Sequence, residues 1–303
     1  MSEELPAPGA LIETATWPPV DVSEVGGWRV GRSGGFTRRA NSALPSLAAH
    51  RTRLGDLAAT AAVARTLGEV EALYAEHGAR SVVRLDPRTA PGLDRLLAER
   101  GYRAVAPTVV MAAPLAGTSR EGALPGGTLS DRTLSDRTLS ARTPSARTPS
   151  GGTLPDGMVP SRVSSTRATG ADGLRVAWSE RPDDGWLETW LGVKATTTTD
   201  ATLARRILEG APARYLTAHD AGGRIGVLRA APSHGWLALS CLAVERRARR
   251  RGVARALTRV ALEGAPAGVG RAFLQVEESN RAAVALYRQM GFVPVDAYHY
   301  RER

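Results

Sequence analysis

Apolar and polar positions alternate densely in the last 130 or so residues of the chain, and the period of the alternation changes from segment to segment. The segment "LRVAWSE" (174–180) predicts a strand, and "DDGWLETWL" (183–191) and "DATLARRILEG" (200–210) space their apolar residues as helices do. Next, "ARYLTAHD" (213–220) and "RIGVLRAAP" (224–232) predict two strands joined by a glycine-rich turn. The run "WLALSCLAVE" (236–245) is apolar on both faces, the pattern of a strand covered on both sides. From Gly252 onward, Val253, Leu257, Val260 and Ala261 fall at helical spacing, and "RAFLQVEE" (271–278) predicts another strand. In "NRAAVALYRQMGF" (280–292), Asn280 is the helix cap, Ala283, Leu286, Tyr287 and Met290 share one face, and Gly291 is the stop. "VPVDAYHYRER" (293–303) supplies the last strand, so 171–303 reads as an α/β domain.

A fainter version of that ending occurs earlier. "SVVRLDPRTAPGLDRLLAERGYRAVAPTVVMAAP" (81–114) reads as strand, helix, glycine stop, aromatic residue and strand, and matching Gly101-Tyr102 to Gly291-Phe292 lays one segment on the other. Leu97 then stands where Tyr287 stands, and Ala90 where Asn280 stands. The chain therefore reads as a duplication whose first copy kept its packing residues and lost its polar ones. Between the copies, residues 126–155 repeat one Ser/Thr-rich pentad six times with almost nothing large and apolar to bury. Such a stretch cannot offset the entropy of ordering. The expected division is 1–115 for the first copy, 116–170 for a flexible linker and 171–303 for the second copy.

The formal net charge of +10 raises nucleic acid as a partner, so its location matters. Seven arginines lie between Glu245 and Val260 against one acidic residue, which puts six of the ten charges in one short span, "ERRARRRGVARALTRV". No DNA-reading motif or set of stacking aromatics accompanies them. The single cysteine, Cys241, excludes an internal disulfide and fits a reducing, cytoplasmic setting. No stretch approaches the roughly 20 apolar residues of a membrane span, and the five histidines have no metal-ligand spacing. Neither a membrane nor a metal is expected.

The arginine-rich span has another use. A buried strand ends near Val244, a loop follows, and a helix opens at about Gly252. The first amides of a helix have no intrahelical partner and attract an anion, and a glycine there lets phosphate oxygens approach the backbone. Arg249-x-x-Gly252-x-Ala254, followed by Asn280, Ala283, Tyr287, Gly291 and Phe292 in the next strand-helix unit, resembles the two motifs of the GNAT acyl-CoA N-acyltransferases. The resemblance covers the whole of 171–303. With "GGWRVGRSGGFTRRANS" near the start and the duplication, the chain resembles tandem proteins of that family in which a degenerate first copy precedes a catalytic second one.

That resemblance implies a mixed, mostly antiparallel sheet flanked by helices, in two copies. It implies acetyl-CoA as co-substrate, with Arg249, Arg250, Arg251, Gly252, Val253 and Ala254 cradling its pyrophosphate, Asn280 beside them, and a backbone amide among Leu242, Ala243 and Val244 polarising the thioester carbonyl. The acceptor would be an amine on a small molecule or peptide. Tyr287 is implied near the sulfur, where a phenol with a pKa near 10 can protonate a departing thiolate of pKa about 8.5. Where many relatives carry a glutamate, this chain has Ala238 and Gln275. Glu277, two residues beyond Gln275 and so on the same strand face, is the candidate base. Two other roles stay open for Trp186 and Trp190, an acceptor pocket or core packing, while Cys241 reads as a small buried hydrophobe. Alternatives for the whole chain are an acyl-CoA-binding module without catalysis, a mycothiol-synthase-like acetyltransferase, and a basic nucleic-acid-binding protein.

Overall fold

In the first copy the chain runs through α1 (Gly9–Thr16), β1 (Asp21–Val25), β2 (Trp28–Arg32), β3 (Ala43–Leu44), α2 (Leu47–His50), α3 (Leu57–Glu76), β4 (Val82–Leu85), α4 (Pro91–Glu99) and β5 (Arg103–Pro114). The second comprises β6 (Ser164–Ala168), β7 (Arg175–Ser179), α5 (Asp184–Val193), α6 (Ala201–Leu208), β8 (Arg214–Asp220), β9 (Gly223–Ser233), β10 (Trp236–Val244), α7 (Val253–Glu263), β11 (Arg271–Glu277), α8 (Arg281–Gln289) and β12 (Val293–Glu302). This computed structural model describes residues 5–51, 57–86, 88–115, 164–168, 173–193 and 200–303. Most of the expected linker, including every pentad, lies outside the described residues, although β6 falls within 116–170 and pairs with β7.

All twelve strands form one sheet in the order β1-β2-β3-β4-β12-β5-β11-β10-β9-β8-β7-β6. Among the described residues only the pairs β3 with β4 and β10 with β11 are parallel, so the sheet is mixed and mostly antiparallel, as the motifs imply. At its centre the two copies exchange strands. The last strand of the second copy, β12, lies between β4 and β5 of the first, and β5 lies between β12 and β11 of the second. The β5–β12 pairing is two-fold symmetric: a shift by the spacing from Gly101 to Gly291 turns the pair Arg103↔Glu302 into Val293↔Ala112.

The same symmetry governs how the two helices before these strands end. Gly101 and Gly291 adopt φ +83° and +87°, and the next amide, Tyr102 or Phe292, donates 3.0 Å back to the carbonyl of Leu97 or Tyr287. This is the left-handed helix stop for which glycine is suited, used twice. Ala90 and Asn280 occupy the cap positions of α4 and α8, but only Asn280 caps through its side chain.

Each face of the sheet has its own core. On one, Leu237 and Leu239 of β10 pack with Val253 and Leu257 of α7, with Tyr287 and with Phe292. On the other, Trp17 and Phe36 of the first copy meet Trp186 and Trp190 of α5, at ring-centroid distances of 6.1 Å (Trp17–Trp190) and 5.7 Å (Phe36–Trp190). Trp186 and Trp190 are therefore packing residues, both buried. The guanidinium of Arg229, fully buried in β9, ties the same region together by donating to the carbonyls of Thr16, Leu208 and Ala211.

Candidate active site

β10 and β11 run side by side only from Trp236↔Arg271 to Leu239↔Leu274 and then part. Beyond that point the facing edges of Ser240–Val244 and Gln275–Glu277 have no ladder partner in each other. On its other side β10 is bulged against β9, with the register shifting between Ser240 and Ala243. Cys241, at φ +58°, absorbs the bulge in a left-handed conformation that a side chain rarely adopts. It is half-buried against the aromatic cluster. The bulge turns Leu242 and Val244 toward the α7 face and Cys241 and Ala243 toward the α5 face.

Where β10 ends, a short 3-10 turn (Arg246–Ala248) leads to Arg250 at φ +66° and Gly252 at φ +77°, and α7 begins. Ala256 is the first amide to bond back, to the carbonyl of Gly252. The amides of Val253, Ala254 and Arg255 precede it, and these three residues line a cleft of about 440 Å³ between α7 and α8. Val244, Arg249, Arg250, Gly252, Val253 and Ala254 all line this cleft, with Ala282, Ala285, Leu286 and Gln289 across it. A β-carbon added at Gly252 would meet nothing within 4 Å. The arginines divide their work: Arg247 and Arg251 pair with Asp220 at 3.3 and 3.0 Å, and Arg249 donates to the carbonyl of Val244 at 3.2 Å. Arg251 is exposed and held toward β8, away from the cleft lining. An amide-lined, arginine-rimmed hollow at a helix N-terminus suits a pyrophosphate.

Tyr287 stands on α8, nearly buried, with its ring 5.6 Å from Phe292 and no hydrogen bond from its hydroxyl among the described residues. Burial pushes its pKa well above the usual tyrosine value, so it is protonated at neutral pH but a weaker acid than a free phenol, and it is not among the residues that line the cleft. Asn280 is held in helix capping, its Oδ1 accepting from the amide of Ala283 at 3.2 Å, and lies outside the cleft lining. Glu277 is exposed at the end of β11. Ala238 and Gln275 share the face opposite Tyr287, and neither is a carboxylate.

A carboxylate does reach that face, from a distant part of the chain. Glu13 of α1 is fully buried, accepts from the Gln275 amide, and is ion-paired with Arg84 of β4. The Arg84 guanidinium in turn lies 3.7 Å over the ring of Tyr298. Arg84 and Gln275 are counterparts in the two copies, since Arg84 pairs with Tyr300 and Gln275 with Val110, positions related by the Gly101–Gly291 spacing. Sequence reading missed Glu13. Its only local signal is one acidic residue within the otherwise charge-free "GALIETATW".

Among the described residues no group of side chains could hold a metal ion, and no helix is long and apolar enough to cross a membrane. Comparison with known proteins bears on the fold and the family. "Uncharacterized N-acetyltransferase YobR" of Bacillus subtilis is 28% identical over 127 residues, 41% of this chain; the matched part spans about half (51%) of that relative. A GCN5-related N-acetyltransferase from Kribbella flavida superposes with a TM-score of 0.58 at 13% identity, covering 97% of this chain and 93% of the other. A tandem GNAT protein from the clavulanic acid biosynthesis pathway gives 0.54 at 16%, covering 100% and 90%. At these identities the structures speak for the fold, which is the tandem GNAT fold. Residues 134–302 match the family described as "Probable histone acetyltransferase Rv0428c C-terminal", more than half of the chain, and the protein belongs to that acetyltransferase family.

Proposed function

We propose that the second copy moves an acetyl group from acetyl-CoA to a primary amine by direct attack, in the cytoplasm. One observation carries this reading: the cleft at Gly252 is lined at one side by Val244, the end of the β10 edge that has no partner in β11. The pyrophosphate would lie on Arg249, Arg250, Gly252, Val253 and Ala254, with Arg251 and Asn280 supporting the loop and the helix start. An amide among Leu242, Ala243 and Val244 would hold the thioester oxygen as it gains charge. The amine nitrogen attacks the carbonyl carbon, the C–N bond forms and the C–S bond breaks. Tyr287 gives its proton to the leaving thiolate and recovers one from solvent, while Glu277 relays the amine proton outward through water.

Two acceptor classes deserve assay. The matched family's description names a histone, so a lysine side chain in a peptide is one, and a small-molecule amine is the other. Calorimetric titration of the full chain with acetyl-CoA tests the reading. One molecule per chain is expected, and either no binding or two equivalent sites contradicts it. A second reading, an acyl-CoA-binding module without turnover, draws support from Ala238 and Gln275 standing where a carboxylate would serve as base.

A further inference from the structure

We propose that Glu13, Gln275 and Ser240 form a subsite for the ammonium group of the acceptor, one of the three supplied by the first copy; the proposal rests on the acetyl-transfer reading above. Glu13 uses one carboxylate oxygen, Oε2, to accept from both Arg84 and Gln275. Its other oxygen, Oε1, is buried with no hydrogen-bond partner. Two more buried oxygens share that condition, Oε1 of Gln275 and Oγ of Ser240. A buried acceptor left without a donor is costly, and folded proteins rarely keep one without a use.

Position links the three. Leu239↔Leu274 is the last pair before the strands part, so Ser240 and Gln275 are the first residue on each side of the opening. They point the same way, because Ala238 and Phe273, two residues before each, pack in one cluster together with Ile12 of α1. Glu13 sits on that side, joined to Gln275. Ser240 and Gln275 are half-buried whereas Glu13 is fully enclosed, so a ligand would meet those two residues before Glu13.

Three acceptors and one negative charge match one chemical group well. A primary ammonium carries three N–H donors and a positive charge, whereas a carboxylate, phosphate or hydroxyl cannot satisfy all three oxygens at once. Arg84 holds Oε2, which leaves Oε1 as the oxygen that faces a ligand. The subsite would hold the nitrogen at the edge of the parting, on the face opposite Tyr287; once one N–H proton has passed through water toward Glu277, the freed lone pair attacks the carbonyl carbon.

The test is calorimetry of the full chain, free and saturated with coenzyme A, with n-butylammonium chloride and n-butyltrimethylammonium chloride as probes. The primary ammonium should bind, and the trimethyl probe, which has no N–H, should bind at least tenfold more weakly. Glu13→Gln should weaken the primary ammonium at least tenfold. Ser240→Ala, which removes a hydroxyl without a bond to lose and so leaves folding intact, should weaken it severalfold. Equal binding of the two probes, no binding of either, or unchanged affinity in Ser240→Ala overturns the subsite even where Glu13→Gln does not fold. A chain that acetylates amines but fails these contrasts keeps the acetyl-transfer reading; a chain that binds the ammonium as described but not coenzyme A loses that reading and keeps the subsite.

Discussion

Replacing Gly252 with alanine separates what the backbone needs from what a ligand needs. At φ +77° an L-residue is strained, by roughly 1–2 kcal/mol. Gly291 supplies a matched control: its φ is +87°, and an added β-carbon there also meets nothing within 4 Å. Both alanine variants should therefore lose about the same stability, which for a chain of this size lowers the melting temperature by roughly 2–4 °C per kcal/mol. They differ in where the new methyl group points, since Gly252 lines the cleft between α7 and α8 and Gly291 does not. If phosphate oxygens approach the backbone at Gly252, its methyl stands in their place and coenzyme A affinity should fall at least tenfold, about 1.4 kcal/mol. Gly291→Ala should bind as the unaltered chain does. Differential scanning calorimetry gives the first quantity and isothermal titration the second. Equal coenzyme A affinity in the two variants would refute the cradle assignment, whatever their stabilities.

Four further outcomes follow from named contacts. Tyr287→Phe should keep coenzyme A affinity within a few-fold and lower turnover by about 10²-fold, the lower end of general acid catalysis, in a steady-state thiol assay; unchanged turnover removes the acid. Arg229→Ala removes a fully buried guanidinium and its bonds to the carbonyls of Thr16, Leu208 and Ala211, of which only Leu208 keeps another donor, the Tyr215 hydroxyl; it should cost on the order of 3 kcal/mol in a denaturant titration, and a loss under 1 kcal/mol would show that water replaces the guanidinium. Burial opposes ionisation of Asp94, yet bonds from Arg301 and His299 prevail and hold its pKa below the usual carboxylate value, so its contribution is full above about pH 4 and vanishes as pH falls further; Asp94→Asn should flatten that acid limb of the stability curve, and an unchanged limb contradicts the pairing. Residues 171–303 expressed alone lose β5, which pairs with both β11 and β12, and should not fold as a monomer unless residues 1–115 are co-expressed; a folded, monomeric fragment with native melting behaviour refutes the strand exchange.

Legibility in the sequence followed the range of the interactions. The helix stops at Gly101 and Gly291, the cap at Asn280 and the start of α7 beside Gly252 each depend on residues a few positions apart, and each stands where local pattern put it. The duplication was visible because both copies need the same glycine-aromatic ending. Which strand pairs with which was not, since β5 and β12 carry the same alternation whether they close their own copy or the other. β6 went unread because "SSTRA" offers no apolar rhythm. The left-handed Cys241 gave no sign because its conformation is imposed by the bulge and not by its side chain. Glu13 lies 262 residues from Gln275 in sequence, so no spacing rule could join them. The strand pattern showed only that Ala238 and Gln275 are not carboxylates, and from there Glu277 was the nearest acid.

Amine-dependent release of coenzyme A tests the central claim most directly. The full chain, acetyl-CoA and a panel of primary amines that includes lysine-containing peptides would be followed by free thiol, with the acetylated product identified by mass. The account predicts thiol release that requires an amine, yields one N-acetylated product per thiol, and falls about 10²-fold in Tyr287→Phe. Acetyl-CoA bound at the Gly252 cleft with no amine-dependent thiol release across the panel would contradict it and leave a binding module in its place.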